Sequence, residues 1–147
     1  MAGIIPLISS GVAGPLGAIH LPRLWQKVLL DATGQLAEGY DECGMGFDQM
    51  VLDGLKINRD AAVNFIKENK PTYAAFEQWV VAQRGGSISG EEIEASNAAI
   101  SGYNHDDDTR GAILSTAGVA DDGSILDAVN LNNLDDWTEL HASVTGG

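Results

Sequence analysis

Apolar residues in this chain recur at spacings of three and four, in short runs closed by glycine or proline, and nowhere do they alternate with polar residues for more than four positions. Three-to-four spacing puts side chains on one face of a helix, whereas a half-buried strand needs strict alternation. The chain is therefore restricted to short helices, and no fixed-period repeat organises them. At 147 residues it has room for one core of about 40 to 50 inward-facing side chains.

The helical pattern starts at Leu21. Pro22 suits a first turn, and Leu24, Trp25, Val28 and Leu29 follow before Gly34 closes the element. Tyr40 to Gly46 is glycine-rich and reads as a loop. Phe47, Met50, Val51 and Leu55 mark a second helix, with Asp48 set against its N-terminal dipole. Asn58 caps a third that carries Ala62, Phe65 and Ile66 and ends near Pro71. Thr72 caps a fourth, whose Tyr73, Phe76, Trp79 and Val80 form one apolar stripe. Beyond the Gly85-Gly86 break, Ser89 and Glu92 have the capping-box spacing and open a helix through Ile93 and Ile100. Asp106, Asp107 and Asp108 start a weaker helix through Ile113 and Leu114. Ser124 with Asp127 begins a short turn, and Asn133 with Asp136 begins a last helix carrying Leu134, Trp137, Leu140 and Val144.

These elements predict an all-α fold: a single-domain orthogonal bundle of about six to eight short helices with an irregular N-terminal segment. Residues 1–20 form that segment, 21–84 the core helices, and 91–147 an acidic helical part too small and polar to hold a core alone. Met1 to Pro22 carries no Lys, Arg, Asp or Glu, and Ile4, Ile5, Leu7 and Ile8 are apolar. Pro6, Gly11, Gly14, Pro15 and Gly17 break this stretch well short of the roughly 20 residues a spanning helix needs, and no basic region precedes it. The segment reads as coil laid over the core.

The formal net charge of −13 repels polyanions, which excludes nucleic acid and an anionic membrane surface as partners. The charge is unevenly divided. Residues 1–84 hold seven basic and nine acidic residues, whereas residues 85–147 hold Arg110 alone against twelve acids. The single Cys43 rules out an intramolecular disulfide and a Cys-based zinc site, so the chain reads as cytoplasmic.

Several motifs could carry chemistry. Asn104, Asp106 and Asp108 alternate like the start of a calcium loop, but Thr109 and Ser115 stand where such a loop needs Gly and a bidentate carboxylate. Helix N-terminal charge accounts for the same residues, and no metal is expected. Gly11, Gly14 and Gly17 lack the strand and the Gly-Lys-Ser/Thr run of a phosphate loop. Cys43 is flanked by Asp41 and Glu42, whose charge raises a thiol pKa, so a cysteine nucleophile is disfavoured. His105 reads as a cap or charge partner among acids, and His141 as lying on a wet helix face. Trp25, Trp79 and Trp137 each sit among apolar neighbours at helical spacing and are expected in the core.

The densest polar constellation joins the first helix to the following loop. Arg23 and Lys27, four apart, project to one side. Facing them, Asp48 would pair with Arg23 and leave His20 and Tyr40 in a cleft. His20, Tyr40 and Asp48 are thus the candidate catalytic residues, working as acids and bases without a cofactor, and Arg23, Lys27 and Trp25 the candidate substrate contacts. An Arg–Asp clamp that merely fastens the loop is the structural alternative.

Leu21-Pro22-Arg23-Leu24, Gly34-Gln35-Leu36, Tyr40, and Gly46-Phe47-Asp48-Gln49 leading to Leu52 and Leu55 resemble the first half of an uncharacterised bacterial family, domain of unknown function five-zero-six-nine. Trp79, Glu91-Glu92-Ile93, Asn97, and the run from Ile125 through Asp127 and Leu131 to Asp135-Asp136 are similar to its second half. The resemblance implies a small single-domain protein, supplies no catalytic residue, and ties Arg23 and Asp48 to recurrent motifs. Two functions follow from the chain as a whole. One is a small-molecule binding protein or enzyme that takes a small anionic or apolar metabolite. The other is an acidic interaction module for a basic protein partner.

Overall fold

The computed structural model describes residues 3–146, and those residues form seven helices and no strand. They are α1 (Leu21–Ala32), α2 (Phe47–Leu55), α3 (Arg59–Asn69), α4 (Tyr73–Gln83), α5 (Gly90–Ser101), α6 (Asp107–Ala117) and α7 (Ala128–Thr145). Side-chain caps set most of the starts. Asn58, Thr72, Ser89 and Asp106 accept the backbone N–H of Ala61, Ala75, Glu92 and Thr109 at 2.9, 3.2, 3.2 and 2.7 Å. Pro22 lies in the first turn of α1, where it removes no hydrogen bond.

The seventh helix corrects the sequence reading. Asp127, not Asn133, caps it, accepting the Asn130 N–H at 3.0 Å, so the expected turn and last helix merge into one element. The Ala128 N–H donates to the Tyr103 carbonyl at 2.8 Å and ties the helix start to the loop after α5. Docked from that end, α7 buries Ala128, Leu131 and Asp136 and turns Trp137 outward at 56% exposure. Val144 is also exposed. Of the apolar stripe expected to be buried, Trp137 and Val144 thus face solvent while Leu134 and Leu140 are half-buried.

The core is drawn from Leu21, Leu24 and Val28 of α1, Val51, Leu52 and Leu55 of α2, Ala62 and Ile66 of α3, Phe76 and Val80 of α4, and Ile100 of α5. Helices α2 and α5 approach closely at Gly54, where an added Cβ would lie 2.5 Å from Ser96 Oγ. The remaining tryptophans are half-buried. Trp79 stacks on Phe65 at 4.8 Å, and Trp25 donates to the Pro71 carbonyl at 3.0 Å and packs edge-on against Tyr73.

The N-terminal coil is fastened at several points. Asn97 of α5 accepts the Ile19 N–H at 3.0 Å and donates to the Gly17 carbonyl at 2.8 Å. Ile4 pairs with the turn after α1 through Gln35 and Ala37, while Ile5, Ser10 and Ala18 are buried. Gly14 slides under Tyr73, where a Cβ would stand 2.4 Å from the ring. No helix among the described residues is long and apolar enough to cross a membrane.

Candidate functional site

The start of α1, the loop before α2, the Tyr103–His105 segment and the inner face of α7 enclose a cleft of about 450 Å³. That volume falls in the range of roughly 300–1,000 Å³ typical of small-molecule sites. Of the sequence candidates, His20, Arg23, Lys27, Tyr40 and Asp48 line it. Trp25 does not; its indole is turned toward Pro71 and Tyr73.

The pairing of charges differs from the expected one. Arg23 does not meet Asp48. It reaches 113 residues along the chain to Asp136, in a two-pronged pair with N···O distances of 2.7 and 3.0 Å. Its guanidinium also donates to the Pro6 and Ile8 carbonyls at 2.9 and 3.0 Å. One side chain thus joins the N-terminal coil, α1 and α7. With its guanidinium donating to all three of these partners and only 6% of the residue exposed, Arg23 is placed as a clamp rather than as a receptor for a substrate anion.

Asp48 instead takes Lys27 Nζ at 2.5 Å and the Gly44 N–H at 2.8 Å on Oδ2, and His20 Nε2 at 2.6 Å on Oδ1. Burial alone raises its carboxyl, but the hydrogen bonds from His20 and Lys27 and the charge of Lys27 outweigh that and hold it down to about 2. A carboxylate can only accept, so Nε2 carries the imidazole proton; Nδ1 is then free to accept from the Ser10 hydroxyl at 3.0 Å. Burial lowers the His20 pKa against the opposing pull of Asp48, and the ring is neutral. With Lys27 paired to Asp48 and Arg23 to Asp136, the buried network is electrically balanced.

Ser10, His20 and Asp48 form the hydrogen-bonded order of a nucleophile, base and orienting acid. Ser10 is 1% exposed and lies outside the cleft lining, so no acyl group reaches it. The row is a structural tie. His20 also adopts a left-handed backbone (φ 69°), a conformation that costs a non-glycine residue about 1 kcal/mol or more and is kept where surrounding contacts dictate it.

Tyr40 donates its hydroxyl to Asp136 Oδ1 at 3.1 Å. Burial, with the charge of Asp136 behind it, pushes this phenol well above its ordinary value. Cys43 is buried, and burial plus the Asp48 charge raise its thiol to about 11, so it is no nucleophile at neutral pH. Arg59, which the sequence did not single out, donates to the Cys43 and Gly44 carbonyls and to Gln49, fixing the loop from α3.

The far wall was also missed. Tyr103, His105, Asn132, Asp135 and Asp136 all line the cleft. His105 is half-buried and bonded through Nε2 to Asn132 Oδ1 at 2.8 Å, rather than capping an acidic helix start. Counted from Ala128 at helical spacing, Asn132, Asp135 and Asp136 continue the face of Leu131, a signal visible only once Asp127 is taken as the cap. Of the aspartates around α6, three are engaged away from the cleft. Asp106 caps the helix, and Asp107 and Asp121 each pair with Arg110 at 2.9 Å.

No protein-family model matches the chain, and no curated protein matches it.

Proposed function

We propose that this protein binds a small molecule in the cleft between α1, the Tyr40–Gly46 loop, the Tyr103–His105 segment and α7. The observation that carries this reading is the position of five buried ionisable side chains, His20, Arg23, Lys27, Asp48 and Asp136, directly beneath an open cleft. Buried ion pairs rarely recover their desolvation cost, so an apolar floor would serve stability alone at least as well. Titratable groups clustered in a concavity, with His20 and Asp48 shifted from their ordinary values, are instead a signature of working sites.

The polar atoms of His20 and Asp48 are engaged with one another, with Ser10, Lys27 and the Gly44 amide. This favours binding over direct acid–base catalysis by those two residues, and assigns them to holding the loop in place. A thermal-shift screen against a metabolite library tests the reading, because a ligand stabilises the native state as its concentration exceeds its dissociation constant. Cleft ligands should raise Tm in the native chain and lose that shift in Tyr103→Ala. Hits whose shifts survive Tyr103→Ala and Asp135→Asn would place the ligand elsewhere and sink the proposal.

A second reading, an acidic interaction surface, is favoured by one observation: Trp137 and Val144 stand exposed on α7 within a strongly acidic half. A basic amphipathic peptide should then change tryptophan emission in a salt-sensitive way. Retention of that response in Trp137→Ala would dismiss this surface.

A further inference from the structure

We propose that the ligand of this cleft is a small organic monocation, a protonated amine on an apolar or planar body, with Asp135 as its anchoring carboxylate. This rests on the reading of the cleft as a ligand site and names the chemistry that it accepts.

The argument begins with what the lining lacks. Four aspartates against one arginine and one lysine give it a formal charge of −2 with the imidazoles neutral. Both cations are already committed, Arg23 to Asp136 and Lys27 to Asp48, and neither is more than 8% exposed. An anionic ligand would have to displace a carboxylate from a buried pair. A cation would displace nothing.

Asp135 is the group left over. It is half-buried on the cleft wall and has no hydrogen-bond or ion-pair partner among the described residues, although its neighbour Asp136 is held by Arg23 and Tyr40. Burial first, then the charges of Asp136 and Glu139, raise its carboxyl above the ordinary range. Negative charge is thus concentrated where no side chain donates to it, and an ammonium group would supply the missing donor.

The remaining lining suits the rest of such a molecule. His20, Phe47, Tyr103 and His105 run edge to face, with successive ring centroids 5.5, 5.8 and 6.1 Å apart. Aromatic faces attract cations and pack planar bodies, and Met45 and Met50 supply adaptable apolar contact. A metal ion fits less well, because no three His, Cys, Asp or Glu side chains among the described residues converge as a ligand set.

The test is a set of two-dimensional amide NMR titrations of the full chain at pH 7.5 with benzylamine, benzyl alcohol and benzoate, which share one body and differ in charge. Benzylamine should move the Tyr103, His105 and Asp135 amides and bind several-fold more tightly than the alcohol, with benzoate weakest. Asp135→Asn should weaken benzylamine about tenfold while leaving the alcohol unchanged; having no partner to lose, this variant should keep the native Tm. Benzyl alcohol or benzoate binding in the cleft as tightly as benzylamine, or benzylamine indifferent to Asp135→Asn, would overturn the cation assignment and leave the cleft a ligand site. No movement of cleft amides with any of the three would overturn both.

Discussion

In α1 and α2 the charged side chains Arg23, Lys27 and Asp48 are each less than a tenth exposed and hold partners at hydrogen-bond distance, whereas in α6 Asp107 pairs with Arg110 while its side chain is 91% exposed. The bonds look alike on paper. Their surroundings set their energies apart, because water screens the second kind and the interior does not screen the first. The acidic half thus contributes most of the net charge but one buried charge, Asp136, and that residue is the one closing the cleft.

Removing Asp136 should break this comparison most severely. Asp136→Ala leaves Arg23 buried without its carboxylate, and urea unfolding should show a loss of about 3–5 kcal/mol. The pH dependence should separate the halves next. Asp48 titrates near 2 in the folded protein against an ordinary 3.8, so its stabilisation is present above about pH 4 and is lost as the pH falls toward 2. About 2 kcal/mol should disappear over that window in the native chain and not in Asp48→Asn, as read by urea midpoints.

His20 should give a smaller effect in a higher window. Its folded pKa lies below 6.5, so the unfolded chain takes up the proton first and stability declines as pH drops below that value. His20→Asn, chosen because Asn tolerates a left-handed backbone, should flatten the decline below pH 6.5. The smallest change should come from the exposed side of α7. Trp137→Ala should alter the unfolding free energy by no more than about 0.5 kcal/mol, against about 3–5 kcal/mol for Phe76→Ala in the core.

The same contrast explains what was legible in the amino-acid order. Helices α1 and α3 to α6 were readable because their signals are local: Pro22, Asn58, Thr72, Ser89 and Asp106 act within three residues of the backbone they cap or start. Near α7 the pattern reads as a short turn begun by Ser124 with Asp127 and a helix begun at Asn133, and the contact that anchors the true start, Ala128 to the Tyr103 carbonyl, is not local. The near wall of the cleft was legible for the same reason as the helices, since His20, Arg23, Lys27, Tyr40 and Asp48 lie close together in the chain. The partner of Arg23 lies 113 residues away, and helical periodicity, which looks for apolar faces, passes over a buried aspartate.

A double-mutant cycle on Arg23 and Asp136 tests most directly whether this pair joins the two halves. Urea unfolding of Arg23→Met, Asp136→Leu and the double variant should show strong coupling of about 2 kcal/mol or more, with the double variant more stable than either single one. Additive losses, with coupling near zero, would mean that each side chain acts alone and would contradict the clamp that holds α1 and α7 together around the cleft.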